Sequence, residues 1–167
     1  MTGARQEFDR VFGLYFKNVY AYFSLCFSPD TAEDCTQQVF LNVWRALAAP
    51  SARKPDNWKA WIFRLAVNVK NDFLRKKYTM PRMDALEEES LREYAEPDMA
   101  RQVAVEQSFS QLTVAERELL LLKSNGFTSA EIGELLNLSA STVRSRLSAA
   151  RGRLKKYLAE NGVIVDE

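Results

Sequence analysis

A chain of 167 residues with 47% apolar content has room for one ordinary domain or two small ones around a buried core, which excludes fibres and wholesale disorder. Only 6 Gly and 5 Pro argue against a many-turned β sandwich, and the absence of any His removes His-dependent metal sites, Ser-His-Asp and Cys-His nucleophile systems. The formal net charge of +1 is an average over unlike segments: residues 1–78 hold 12 Lys+Arg against 7 Asp+Glu, residues 79–111 hold 3 against 8, and residues 112–167 hold 8 against 7.

The first segment also holds 15 of the 19 aromatic residues, so it owns a bulky core. Between Phe8 and Cys26, the residues Phe8, Phe12, Tyr15, Val19, Tyr22 and Cys26 recur at steps of four and three, which predicts a helix burying that stripe. Ser28, Pro29 and Asp30 end it, and a second helix from about Thr31 to Ala48 buries Cys35, Val39, Val43 and Leu47 to complete an antiparallel hairpin. Cys26 and Cys35 lack the short paired spacing of a zinc site, so reduced buried thiols in a reducing, cytoplasmic setting are expected, with no metal and no cofactor. The charged stretch from Arg5 to Arg10 breaks any signal-peptide core, and no membrane insertion is expected.

On the other side of the second helix, Asp34, Gln37, Leu41, Trp44 and Ala48 fall within about 40° of the direction opposite Val39 at 100° per residue. An outward Leu and Trp need a cover. Either a third helix of the same domain supplies it or a partner does, and the polar groups around the apolar anchor resemble an interface rim.

After a connector with Pro50 and Pro55, a third helix is predicted from about Asn57 to Tyr78, apolar on two sides through Trp58, Ile62, Leu65, Val69 and Phe73 and through Phe63, Val67 and Leu74. Its remaining polar face is Arg64, Asn68, Asn71 and Arg75. With Lys59, Lys70, Lys76 and Lys77 nearby, that face offers cations for phosphates and amides for base edges, beside Trp58 and Trp61 that can stack on an unpaired base. A solvated helix face above core tryptophans is the plainer alternative.

From Thr79 to Pro97 the acids Glu87, Glu88, Glu89, Glu93 and Glu96 sit between two prolines, the composition of a connector. The organisation expected is therefore all-α: two small helical domains at residues 1–78 and 99–167 joined by an acidic linker at 79–98.

Thr113 with Glu116, and Thr128 with Glu131, have the spacing of capping boxes that start two helices. Asn125-Gly126 stops the first, and the next runs from Ser129 to about Leu136. Asn137 then supplies a left-handed turn, Ser139 caps a new start, and Val143, Leu147, Ala150, Leu154 and Leu158 form the core stripe of the last helix. Gly133 gives the small side chain that a crossed helix pair needs. This is the grammar of a helix-turn-helix. Outward, the last helix bears Ser141, Ser145 and Ser148 with Arg144, Arg151 and Lys155 on one flank, small enough to enter a major groove and basic enough to hold phosphates or guanine edges.

The segments AEDCTQQVFLNVWRAL (Ala32 to Leu47), WKAWIFRLAVNVKNDFLRKK (Trp58 to Lys77) and the run from Leu112 to Leu158, in that order and at those separations, resemble bacterial sigma factors of the extracytoplasmic-function (group IV) family. The resemblance implies a non-enzymatic factor that binds core RNA polymerase and directs initiation at promoter DNA. It assigns Asp34, Gln37, Gln38, Leu41 and Trp44 to the coiled coil of the polymerase β′ subunit. Opening and reading of the minus-ten element fall to Arg64, Asn68, Asn71 and Arg75, with Trp58, Lys59 and the loop from Arg53 near an extruded base. Reading of the minus-thirty-five duplex falls to Ser141, Thr142, Arg144, Ser145, Ser148 and Arg151, with the last domain also docking on the β flap. An anti-sigma factor is a further partner in the family. Gln38 stands where relatives often carry Glu, and Ser148 and Ala149 stand where many carry larger or basic groups, so no relative's promoter sequence transfers. The competing reading is a helix-turn-helix regulator whose first half dimerises or binds a ligand.

Overall fold

The computed structural model describes residues 2–79 and 97–163; of the acidic linker expected at 79–98, residues 80–96 lie outside them, while both of its ends belong to helices. The chain divides into two units, Met1–Leu86 and Glu87–Glu167. Every regular element among the described residues is an α-helix.

In the first unit, α1 (Thr2–Cys26) and α2 (Pro29–Ala48) are joined by Phe27 and Ser28 alone. Pro29 occupies the first position of α2, where a missing N–H costs nothing, and Ser28 precedes it in extended conformation. The third helix, α3 (Trp58–Thr79), packs on both. Val11, Val19, Tyr22, Phe23, Val39, Val43, Ile62, Phe63 and Ala66 are fully buried, with Tyr22 set edge-on to Phe63 at 6.1 Å. The Thr36 hydroxyl is buried too, and it donates to the Ala32 carbonyl at 2.7 Å.

Two expectations are corrected here. Val11 fills the core where the spacing placed Phe12, and Phe12 is 39% exposed. Val19, Tyr22 and Cys26 of the expected stripe are buried, so the departure is confined to the start of α1, where aromatic residues cover a wide arc. Lys70 is buried, so it does not belong to the cations offered to phosphates.

Both cysteines are free and buried. Burial, with the nearby Asp34 carboxylate adding to it, pushes the Cys35 thiol from an ordinary 9.0 up to about 11. An acid whose pKa is raised by folding leaves stability untouched below 9.0 and erodes it as pH climbs from there through about 11. At pH 8, iodoacetamide should therefore leave Cys35 unmodified in the folded protein and alkylate it in denaturant, as peptide mass mapping would record; rapid labelling of the native chain would contradict this burial.

The second unit comprises α4 (Pro97–Ser110), α5 (Val114–Ser124), α6 (Ser129–Leu136) and α7 (Ala140–Glu160). Leu112, Leu119, Leu122, Phe127, Ile132, Val143, Leu147, Ala150 and Leu158 make its core. The capping box of α6 is complete: the Thr128 hydroxyl accepts from the Glu131 N–H at 3.2 Å, and the Glu131 carboxylate accepts from the Thr128 N–H at 3.0 Å. That of α5 is only half formed. Thr113 accepts from the Glu116 N–H at 3.2 Å, but the Glu116 carboxylate is drawn away to pair with Arg153 of α7. Helix α4 is anchored at its far end, where Asn161 Nδ2 donates to the buried Ser108 hydroxyl at 2.9 Å.

Candidate polymerase and nucleic-acid interfaces

On the first unit, α1 and α2 leave an open groove of about 410 Å³ lined by Phe8, Phe12, Gln37, Phe40, Leu41 and Trp44. None of these side chains is charged. Leu41 is 43% exposed. Trp44 is half-buried: its ring meets Phe8 edge-on at 5.6 Å, and the remainder lines the groove. Asp34, Gln37 and Gln38 stand exposed along the same side of α2, where Gln38 donates to Asn42 at 3.0 Å. The five residues that sequence places on this face are therefore together. What spacing missed is the opposite wall, Phe8 and Phe12 of α1, although their recurrence four residues apart was the available signal.

Next to Phe8, Glu7 accepts from Arg10 Nη2 at 2.6 Å and lies 3.6 Å from Lys54 Nζ, which brings the α2–α3 connector to α1. The Arg10 hydrogen bond, against a smaller opposing effect of desolvation, holds the Glu7 carboxyl below its ordinary value.

Helix α3 begins at an Asn57 cap, whose Oδ1 accepts from the Ala60 N–H at 3.1 Å. Arg64, Asn68, Asn71 and Arg75 are all exposed and form one row. Arg75 is paired one turn back with Asp72. Trp58 and Trp61, both part-exposed, meet edge to face with centroids 5.5 Å apart. At 100° per residue Trp61 stands about 60° from Arg64, Trp58 about 120° on the same side and Lys59 about 140° on the other. Trp61 thus flanks the polar row, whereas Lys59, half-buried, stands on the far side of the helix.

In the second unit, α6 and α7 are joined through Asn137, the one non-glycine with a left-handed backbone among the described residues (φ 58°). Ser141, Arg144, Ser145, Ser148 and Arg151 are exposed on α7. Thr142 is half-buried and committed to the helix cap, its hydroxyl 2.7 Å from Ser139 Oγ and its N–H donating to that same oxygen at 3.1 Å. Arg153 is exposed but paired. Besides Glu116 it reaches the Tyr157 hydroxyl at 3.1 Å, which ties α5 to α7. No acid occupies the first turn of α7, so its positive dipole end is open to phosphate.

Among the described residues, no group of His, Cys, Asp and Glu could hold a metal ion, and no helix is long and apolar enough to cross a membrane.

Comparison with known proteins matches residues 13–79 to sigma-70 region 2 and residues 102–154 to sigma-70 region 4. The chain is 29% identical, over 94% of its length, to the ECF RNA polymerase sigma factor SigE of Mycolicibacterium smegmatis, and 28% identical, over 95%, to the probable RNA polymerase sigma factor RfaY of Xanthomonas campestris pv. campestris. It spans 60% and 42% of those two proteins. In fold it is similar to the sigma factor RpoE of Bartonella quintana, solved in complex with the anti-sigma factor NepR, with a TM-score of 0.65 at 22% identity over 92% of this chain and 98% of that one.

Proposed function

This chain belongs to the sigma-70 family, carrying region 2 and region 4 in order, and we propose that it is an extracytoplasmic-function sigma factor that binds core RNA polymerase and selects promoters. The observation that carries this is the pairing, in one chain, of an uncharged apolar groove beside α2 with a helix-turn-helix whose outward face is basic. In this reading Asp34, Gln37, Gln38, Leu41 and Trp44 meet the β′ coiled coil. The row Arg64, Asn68, Asn71 and Arg75 takes the non-template strand of the minus-ten element, with Trp61 better placed than Trp58 to stack on an extruded base and Lys59 set apart from the row. Ser141, Arg144, Ser145, Ser148 and Arg151 enter the major groove of the minus-thirty-five element, and Thr142 shapes the helix start behind them.

The mechanism is bipartite. Each DNA surface alone is weak, but docking both units on polymerase makes the second contact effectively intramolecular. Strand opening costs a few kcal/mol of stacking per base, offset by holding the extruded base and by neutralising phosphates along α3. The factor itself makes and breaks no covalent bond. By analogy with the solved relative, an anti-sigma factor is a proposed partner.

The test is transcription by the purified chain with core polymerase on a randomised promoter library. Start sites sharing two elements at one spacing support the reading, and uniform or absent initiation contradicts it. In the same assay Arg144→Ala should lower use of the upstream element by about tenfold, the scale of one lost base contact, while polymerase capture is unchanged.

A further inference from the structure

The connector from α2 to α3 has few bonds of its own. The Ala52 N–H donates to the Ala49 carbonyl at 3.0 Å and Asn57 caps α3, but among the described residues no backbone hydrogen bond ties residues 53–56. Pro55 lacks an N–H and restricts Lys54 to extended backbone. A side chain of another helix reaches this stretch instead. Glu7 of α1 accepts from Arg10 through both carboxylate oxygens, at 2.6 Å from Nη2 and 3.3 Å from Nε, and its Oε2 stands 3.6 Å from Lys54 Nζ. The Glu7 side chain is only 13% exposed, so its direction is set by Arg10 and the helix rather than by Lys54.

We propose that Glu7 is a positioning residue: through Lys54 it holds residues 53–57 in the conformation that meets the extruded base of the minus-ten element. This rests on the function proposed above and brings α1 into the reading of DNA. Glu7 itself touches no nucleic acid, because a carboxylate is repelled by phosphates. The Arg10 hydrogen bond, outweighing desolvation, lowers the pKa of the carboxyl, so the pair with Lys54 stays charged through the neutral range. The Lys54 side chain is 69% exposed, and an ion pair so open to solvent adds little to the stability of the unit. A short connector without backbone bonds has few other restraints, however, and there the same interaction decides which conformer is populated, by a factor of up to about five. Base discrimination depends on that conformer, since a displaced loop does not make the contacts by which one base is told from another.

The experiment compares Glu7→Gln, Lys54→Met and the double variant, each in the full chain with core polymerase, on a recognised promoter and on versions of it changed at single minus-ten bases. The quantity read is the preference for the recognised base, followed by permanganate reactivity of the opened strand. Glu7→Gln should lower that preference by about threefold to fivefold at one base position, with polymerase capture, upstream-element use and the thermal melt unchanged. Lys54→Met should do the same, the double variant should lose no more than either alone, and Lys54→Arg should keep the parental preference. Asp9→Asn, which removes an exposed charge two residues from Glu7, should match the parent. Additive losses, or a loss from Lys54→Met with none from Glu7→Gln, would show the lysine acting on DNA by itself and overturn the proposal. Increased strand opening in Glu7→Gln would overturn it too, by showing that the carboxylate restrains a lysine otherwise drawn to phosphate. A parent chain with no preference at any minus-ten base would overturn the function proposed above, and this proposal with it.

Discussion

Leu41→Asp is expected to abolish capture by core polymerase, weakening it by about a hundredfold or more, without unfolding the protein. Leu41 is 43% exposed in the free chain, so an aspartate there remains hydrated and should alter stability by no more than about 0.5 kcal/mol. Bound, the same carboxylate would sit in a groove whose other lining residues, Phe8, Phe12, Gln37, Phe40 and Trp44, offer it no cation. Stripping water from an unpaired charge is the costly event, and a central apolar contact of this kind is where binding energy concentrates. Pull-down of polymerase subunits and a thermal melt separate the two effects. Trp44→Ala is a less clean probe, because the indole also packs on Phe8 inside the unit. Retained capture with Leu41→Asp would move the docking site away from α2.

Gly133→Ala should damage the second unit selectively. A Cβ at this position would stand 2.4 Å from the Leu138 carbonyl oxygen, a backbone atom of the turn that sets α7 against α6. The turn cannot simply retreat. The Leu138 N–H donates to the Gly133 carbonyl at 2.8 Å, and Asn137 between them is already left-handed. Overpacking against backbone costs about 1–3 kcal/mol, a large share of what a four-helix unit has to lose. Urea unfolding followed by far-UV circular dichroism should show the loss, and use of the upstream promoter element should fall with it while Leu41-dependent polymerase capture persists. A variant as stable as the parent would mean that the α6–α7 turn has more room than its geometry allows.

Much of this was legible in sequence because the signals were local. A single stripe on α7, Val143 through Leu158, identified both its core and its outward face, and Asn137 marked the turn by its tolerance of a left-handed backbone. The outward Leu41 and Trp44 of α2 were visible because an apolar residue off the core stripe has few explanations. Aromatic-rich α1 misled for the opposite reason: with rings on several sides, spacing alone cannot tell the side that fills a core from the side left open. Helix α4 went unseen because Pro97 fits a connector as well as a helix start, and the acids before it favoured the former. The expected capping box of α5 stays half formed because a tertiary partner takes its carboxylate. Arg153 and Glu116 are 37 residues apart, and no local pattern foretells that they meet. Nor does periodicity reveal that Thr142 is bound to its own cap rather than held outward.

The function proposed above has two DNA-reading surfaces working at a distance fixed by the polymerase on which both are docked. Its most direct measurement is initiation from a recognised promoter whose two elements are moved apart first by five and then by ten base pairs, about half a helical turn and one full turn. If polymerase fixes the distance, initiation is lost in both templates, since restoring the phase does not restore the span. Recovery at ten base pairs, or binding and initiation indifferent to both insertions, would instead describe a regulator that follows the face of the helix and would contradict the account.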